Sequence, residues 1–577
     1  MNRRDFLTTA SGAALGALAA GCTFAAKPRA GRAGEAPRKH PPNVVLIITD
    51  DQGYYDLSCH GNTVLRTPNL DRLHGESTHL TNFHVDPTCA PTRSALMTGR
   101  YSSRAGVWHT IIGRHLLAED ETTMADVFAK AGYATAIFGK WHLGDNYPFR
   151  PQDRGFQDAL IHGGGGVGQG PDFWGNDYFD DTYFRNGRPE KFEGYCTDVW
   201  FREAMRWIEA HRDRPFFCYL PTNAPHGPYN VADKYWKPFA ERGVKEGQAR
   251  FYGMIVNIDE NVGWLRVRLQ QLGLAENTIL LFMTDNGTSG GMQGAMRGRK
   301  GSEYDGGHRV PCFIRWPAGL KPRGDVDAVT AHVDILPTLI DLCGLPPPEG
   351  VAFDGASLAP LLRGKGDWPQ RTLLVHSQRI DHPEKWRKCA VMTDRWRLVS
   401  GKQLFDMPAD PGQKTDVAGD HPDVVKRLRG AYEAWWDDID ERFDDYARIV
   451  LGSEHENPLH MVAHDWHPTD GPCPWSHGHI RKKDLYANGW WAVRIARPGT
   501  YRITLRRAPK EADFALDADE ARLKVGEVEK TQKADPSAKA VTFEVKLAAG
   551  PARLETWLTD TKTGKVRGAY DLTVERV

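Results

Sequence analysis

From residue 43 to about 345, short continuous apolar runs alternate with segments of helical periodicity. NVVLIITD (43–50), YATAIFGKW (133–141), PFFCYL (215–220) and NTILLFMTDNG (277–287) are β-rich and apolar at successive positions. Strands buried on both faces read this way, which predicts a covered, largely parallel sheet. Between them, TTMADVFAKAG (122–132), DVWFREAMRWIEAHR (198–212) and a long stretch within 247–272 predict helices. The alternation gives an α/β layer with helices on both faces of the sheet. Functional groups in such sheets collect at the carboxyl ends of strands. Asp50-Asp51 and Asp285-Asn286 stand at two such ends, as a cation site in this architecture requires.

The pattern changes twice further on. Residues 370–445 carry short strand runs (TLLVH, AVMTD, WRLVS) and a helix near 423–438, a small α+β unit. After about 455 strict alternation takes over. Val541, Phe543, Val545 and Leu547 fall on one face, as do Tyr501, Ile503 and Leu505, and Tyr570, Leu572 and Val574. Period-two strands with few helices predict an antiparallel β-sandwich over 451–577. At the other end, Arg3 and Arg4 precede Phe6 and Leu7, and a small apolar stretch runs from Ala13 to Ala20 and on to Gly21-Cys22. This resembles a twin-arginine export signal ending in a lipobox, with Cys22 as the lipidated residue and plain signal-peptidase cleavage as the alternative. The Ala-, Gly-, Pro- and Arg-rich residues up to about 40 read as a tether. The expectation is an exported protein, periplasmic or membrane-anchored through that lipid.

Composition narrows the partners. The 74 basic and 74 acidic residues balance to a net charge of zero, which argues against nucleic acid or a bulk anionic surface. Membrane contact is then limited to a lipid anchor, and any bound anion needs a local cluster. The nine cysteines, Cys22, Cys59, Cys89, Cys196, Cys218, Cys312, Cys343, Cys389 and Cys473, show no zinc-knuckle or redox spacing. They leave room for a disulfide or two in an exported chain, but no framework. The 18 Trp residues are many for this length. Core filling is the default for each, although exposed Trp faces stack on sugar rings.

The most specific stretch is Pro87-Thr88-Cys89-Ala90-Pro91-Thr92-Arg93-Ser94-Ala95-Leu96-Met97-Thr98-Gly99-Arg100. It resembles the hallmark of the sulfatase family, Cys-x-Pro-x-Arg followed by an apolar pair and Thr-Gly, with Thr92 where Ser is commoner. Gly139-Lys140-Trp141-His142 is similar to the family's second signature, with Phe138 where a smaller residue is usual. Asn223-Ala224-Pro225-His226 and the segment Arg297–Pro311 around Lys300 also fit the family pattern. The likeness is strong over 41–345 and weaker over 346–445.

That resemblance implies an alkaline-phosphatase-like fold: a large mostly parallel sheet sandwiched by helices, then the small C-terminal α+β subdomain, then the accessory β-sandwich. The corresponding boundaries are 1–40 for signal and tether, 41–365 for the catalytic domain, 366–450 for its subdomain and 451–577 for the β-sandwich. It also implies that a maturase oxidises Cys89 to formylglycine, whose hydrate gives a gem-diol nucleophile. Asp50, Asp51, Asp285 and Asn286, joined by residue 89, would ligate a cation. Three carboxylates and an amide suit calcium, with magnesium as the alternative, rather than zinc.

The remaining roles follow the same resemblance. Lys140 and Lys300 would hold sulfate oxygens, and Asp285 would deprotonate the attacking hydroxyl. His226 or Lys300 would protonate the leaving alcohol, a choice left open, and His226 also belongs to the substrate-binding set. His142 would remove the second hydroxyl proton, and Arg93 would stabilise the alkoxide at residue 89. The expected activity is sulfate-ester hydrolysis on sulfated carbohydrates. Phosphonate monoester or phosphodiester hydrolysis by the same scaffold is the first alternative. A non-catalytic lipoprotein that binds sulfated glycans is the second.

Three weaker features complete the reading. His455, His460, His464, Asp465, His467, Cys473, His477 and His479 crowd the start of the last domain, in spacings that match no metal motif. They read as a polar linker packed on the catalytic domain, with a substrate contact from His464-Asp465-Trp466-His467 as a further option. Phe173–Asp181 reads as a pocket wall. Gly163–Gly168 lacks the lysine of a phosphate loop and reads as flexible chain near the site.

Overall fold

A computed structural model describes residues 41–365 and 368–577. The export signal and Cys22 lie outside the described residues. Pro41–Val577 is one compact unit, and among the described residues no helix is long and apolar enough to cross a membrane.

The central strand is Asn43–Thr49. Its continuous apolar run is explained by two cores. Val44, Leu46 and Ile48 pack into one of them, with Leu96, Met97, Phe128 and Leu339. Val45 and Ile47 pack into the other, with Val199, Trp200, Met254 and Ile258. Burying each such side chain is worth about 1.5–3 kcal/mol, so neither face of the strand tolerates a polar residue. Thr278–Thr284 flanks it on one side and Phe216–Pro221 on the other, both parallel. Ala134–Lys140 and Asp158–His162 extend the parallel set. Antiparallel pairings flank this set on both sides, with Gly324–Val326 parallel to Thr78–Leu80 at one border, and complete a ten-stranded sheet.

Helices fill both faces, as the periodicity predicts. Met124–Lys130 opens with a capping box from Thr123 and Asp126. Cys196–Ala210 and the 26-residue Glu246–Gln271 cover the opposite face. Because the five central strands run in one direction, Asp50, Lys140, His162, Asn223 and Asp285 all emerge along a single edge of the sheet.

Residues 373–406 form a four-stranded antiparallel sheet backed by Pro422–Ile439. Its core also takes in Ala95, Tyr101 and Trp108. Beyond residue 448 two further sheets pack face to face. One holds Leu459–Val462, Asp571–Arg576, Gly499–Arg506 and Val541–Leu547, all antiparallel. The other is antiparallel except for Ile449–Leu451, which runs parallel to Asn488–Ile495. In Val541–Leu547 every odd residue is buried and every even one exposed. The core between these sheets includes Ile112, Leu116 and Phe149 from the preceding region. The eight described cysteines are all unpaired, so none of the disulfides allowed for above forms among the described residues.

One backbone position holds the edge of the sheet together. Gly139, next to Lys140, has φ +134°, and a Cβ there would lie 1.9 Å from the carbonyl oxygen of Pro221. Gly139→Ala is therefore expected to cost about 3 kcal/mol or more. The check is a large fall in melting temperature or loss of soluble protein. A variant that melts like the wild type would refute the close approach.

Candidate active site

The Cys-x-Pro-x-Arg spacing acquires its meaning from a helix. Cys89–Thr98 is helical, with Pro91 in the first turn, where its missing N–H costs nothing, and Gly99 as a left-handed cap bonded to Ala95. Residues four apart share a helix face, so Cys89 and Arg93 point the same way. Cys89 also sits at the positive end of the helix dipole, which suits an anionic substrate. All ten residues of this helix are buried.

Arg93 fastens the helix to the strand ends. Its Nη2 and Nε donate to Asp285 Oδ2 at 2.8 and 3.2 Å, and its Nη1 donates to the Lys140 carbonyl at 3.0 Å. The resemblance assigned Arg93 to an alkoxide at residue 89; here its guanidinium is engaged with the carboxylate and the backbone. Lys140 Nζ lies 2.5 Å from Asp50 Oδ2. Lys300 Nζ lies 2.6 Å from Asp51 Oδ1, which also accepts from Asn286 Nδ2 at 2.9 Å. The Asp51 amide donates to Asp285 Oδ1 at 3.0 Å. Asp50, Cys89 and Asp285 bring one ligand atom each to within 4.8 Å of one another. Residues from four distant parts of the chain thus converge.

Burial sets the protonation of the cluster. It raises the Asp50 carboxyl above its usual range despite Lys140. With added repulsion from Asp50, it raises Asp285 to about 6. Burial also pushes Asp51 upward, but Lys300 and His226 outweigh it and hold that carboxyl well below the normal range. The Cys89 thiol is raised by the same desolvation, against Lys140 and Lys300. Lys300 loses proton affinity through burial and regains more from Asp51, so it stays cationic.

These residues fit a divalent cation. Asp50 Oδ1 and Asn286 Oδ1 are buried acceptors with no hydrogen-bond partner, a state that costs about 1–3 kcal/mol per group. Oxygen-only donors of this kind match a hard cation, held by Asp50, Asp51, Asp285 and Asn286 with residue 89 adjacent.

Two imidazoles flank the cluster with opposite tautomers. His142, at φ +63°, donates from Nε2 to the Thr110 carbonyl at 2.8 Å, leaving Nδ1 buried and unpartnered. His226 donates from Nδ1 to the Gly227 carbonyl at 2.6 Å, and its Nε2 lies 3.8 Å from Asp51. Burial, then the neighbouring lysine charges, keep both rings neutral: His142 well below its ordinary value and His226 lowered to about 4. The backbone carbonyls select the tautomers.

Several residues support the site from behind, most of them in the segments read above as a pocket wall, a glycine-rich loop and a packed polar linker. Tyr178 Oη donates to the His226 carbonyl at 2.8 Å, so the 173–181 wall supports a site histidine. Gly163–Gly168 is packed rather than flexible: a Cβ on Gly165 would meet the His142 ring at 2.3 Å. Gln169 Oε1 accepts from the Gly165 amide at 3.0 Å and faces His464 Nε2 at 3.3 Å. His464 Nδ1 and His115 Nε2 both approach Asp465 Oδ1, at 2.7 and 3.3 Å. The Gly168 carbonyl accepts from the His477 amide, and the Gly170 amide donates to the Trp475 carbonyl.

The histidine-rich segment therefore braces the loops behind the site. His464 and Asp465 are buried, with the His464 ring nitrogens turned to Asp465 and Gln169. The other histidines disperse to separate partners: His460 to Asp571, His467 to Asp381, His455 against Tyr147. No short motif links 110, 169 and 464, so only co-folding brings them together.

Comparison with known proteins places the chain clearly. The family model described as Sulfatase matches residues 42–345, and the model described as N-sulphoglucosamine sulphohydrolase, C-terminal, matches 299–433. Human arylsulfatase A is 33% identical, over 67% of this chain and 86% of that protein. The N-acetylgalactosamine-6-O-sulfatase of Bacteroides thetaiotaomicron is 30% identical, over 68% of this chain and 93% of that one. The crystal structure of Ps i-CgsB in complex with k-i-k-neocarrahexaose superposes with a TM-score of 0.63 at 28% identity, covering 69% of this chain and 93% of that chain.

Cation binding at this cluster displaces the proton that Asp285, raised to about 6, holds at lower pH. Calorimetric titration with calcium is expected to give affinity that rises with pH and levels off above about 7, with proton release near about pH 5.5. Enthalpies that do not depend on the buffer at the lower pH would contradict the raised Asp285 carboxyl.

Proposed function

The chain belongs to the sulfatase family, and we propose that it removes sulfate from carbohydrates outside the cytoplasm, using formylglycine made from Cys89 and a calcium ion. The observation that carries this reading is the meeting of Cys89, at a helix N-terminus, with three carboxylates, two lysines and two neutral imidazoles. Formylglycine at residue 89, once hydrated, would supply a geminal-diol nucleophile toward the sulfur of the ester. Asp50, Asp51, Asp285 and Asn286 would hold the calcium ion, which would supply Lewis-acid charge to the site.

The chain's own groups supply the rest. Lys140 and Lys300 are the ammonium groups of the cluster and hold the sulfate oxygens. Asp285 takes the proton of the attacking hydroxyl, and Arg93, bonded to Oδ2, aims that carboxylate. His226 Nε2 gains proton affinity as the sulfate anion arrives and protonates the departing alcohol. His142 presents Nδ1 as a free lone pair because Nε2–H is spent on Thr110. It takes the proton of the second hydroxyl.

The substrate class rests on a relative named as an N-acetylgalactosamine-6-O-sulfatase and on the complex of a 28% identical protein, Ps i-CgsB, with k-i-k-neocarrahexaose. Trp475 is 36% exposed beside the glycine-rich loop, where an aromatic face can stack on a sugar ring. Export as a lipoprotein, through Arg3-Arg4 and Cys22, and a partner maturase belong to the same proposal. A phosphonate monoester hydrolase shares the fold at 21% identity, a likeness that extends to the fold alone.

Peptide mass spectrometry of the Cys89 fragment, from protein made with a maturase, should find an aldehyde that reacts with hydrazide. An unmodified thiol in protein that releases sulfate would overturn the proposed nucleophile. His226→Ala should lower kcat on a carbohydrate sulfate by about 100-fold or more, yet affect an aryl sulfate with an acidic phenol by less than about tenfold. Equal losses on both substrates would exclude His226 as the proton donor.

A further inference from the structure

Three histidines and a cysteine gather beside Cys312–Arg315 and Thr78–Leu80, toward one lateral border of the large sheet. Cys59 and His60 lie in the turn Ser58–His60, His74 in the last turn of helix Pro68–Gly75, and His79 in strand Thr78–Leu80. They are arranged around Phe313, whose ring meets His60, His74 and His79 edge-on at 5.5, 5.0 and 5.8 Å. His74 stacks on His79 at 3.5 Å, and Tyr54 stacks on His60 at 4.0 Å. One ligand atom each from Cys59, His60 and His74 lies within 4.8 Å of the others.

From this arrangement we propose that Cys59, His60 and His74 form a transition-metal site, of the kind that takes Zn²⁺, separate from the catalytic cation. A thiolate and two imidazoles are soft and borderline donors, unlike the all-oxygen catalytic set, and with one water they complete a tetrahedron. The outer contacts are already in place. His60 donates from Nδ1 to the Tyr54 carbonyl at 2.8 Å, which fixes its tautomer and leaves the Nε2 lone pair for a metal. The ring nitrogens of His74 have no hydrogen-bond partner among the described residues. His79 is committed, to Asp325 through Nδ1 and to the His74 carbonyl through Nε2, so it orients His74 rather than binding. Burial keeps His60 neutral, lowered to about 4, and it lowers His74 as well, so neither ring must lose a proton first. Burial and the neighbouring Asp71 carboxylate hold the Cys59 thiol well above its ordinary value, so binding, which breaks the S–H bond, forms one S–metal bond and releases one proton to water, strengthens as pH rises.

The other buried histidine clusters lack this readiness. Arg397 already neutralises Asp305 beside His84 and His308. His464 and His115 both turn a ring nitrogen to Asp465. The Cys59 group instead is half-exposed, so a metal can reach it. A bound ion would tie the 58–60 turn to the helix that precedes strand Thr78–Leu80.

Cobalt titration of the full-length, calcium-loaded protein tests the site. One equivalent should give a thiolate-to-cobalt charge-transfer absorption that Zn²⁺ abolishes. Cys59→Ser should lose the band, and His74→Ala should weaken cobalt binding at least about tenfold. Sulfate release by both variants in calcium should be unchanged, which keeps this result independent of the catalytic reading. A second measurement needs no variant. Cys59 is the one half-exposed thiol among the described cysteines, so Zn²⁺ should slow its alkylation by iodoacetamide, read by peptide mass spectrometry. Absence of the band in the wild type, its persistence in Cys59→Ser, or alkylation indifferent to Zn²⁺ would each overturn the proposal.

Discussion

Three carboxylates forced into one water-poor place are the constraint on which the catalytic edge depends. Asp50, Asp51 and Asp285 are all buried, and burying an unpaired carboxylate costs several kcal/mol. The protein offsets this with Lys140, Lys300 and Arg93, each on a different segment. Removing one partner of such a pair typically costs about 3–5 kcal/mol, so each segment is bound to the others through charge as well as through packing. Even so, the balance is incomplete. Asp285 and Asp50 remain raised, and two acceptor oxygens are left without partners. A site that is well packed but electrostatically unfinished is what a cation-dependent enzyme needs, because binding the ion completes it.

The parallel sheet makes that concentration of charge attainable. Strands running in one direction send all their loops to the same edge, and a helix of ten buried residues delivers Cys89 and Arg93 there on one face. The close approach of Gly139 to Pro221 belongs to the same geometry. Lys140 reaches Asp50 only because its strand can lie against the chain leaving Pro221.

The chemistry of the two imidazoles is decided further out. The tautomers of His142 and His226 are chosen by backbone carbonyls of Thr110 and Gly227. The loops around His142 are held in turn by residues 463–477, through the Ile112 amide on the His464 carbonyl, Gln169 against His464, and the Gly168 and Gly170 backbone on His477 and Trp475. The family models end at residues 345 and 433, so this brace lies beyond the part of the chain they match. The last sheets are thus mechanically part of the site, although none of their residues joins the charged cluster itself.

Much of this was legible in the sequence. The unbroken apolar runs around 43–50 and 277–287 announced strands with a core on each side, and the alternation over 541–547 announced a strand with one face in water. Local composition determines both, because side-chain burial follows the period of the backbone. The acidic residues at strand ends were readable from the strand pattern, and Cys89 with Arg93 from their resemblance to the sulfatase hallmark; that the two share one helix face is what the structure adds. The packing of the histidine-rich segment on the catalytic domain was readable, but the particular partners, Gln169 with His464, Tyr178 with His226, and the choice of tautomer, were not. Nor was the gathering of Cys59, His60 and His74 around Phe313. These depend on which distant segments come within hydrogen-bonding reach, and on how much water folding removes from between them. Neither quantity has a local signature along the chain, so only the tertiary structure decided them.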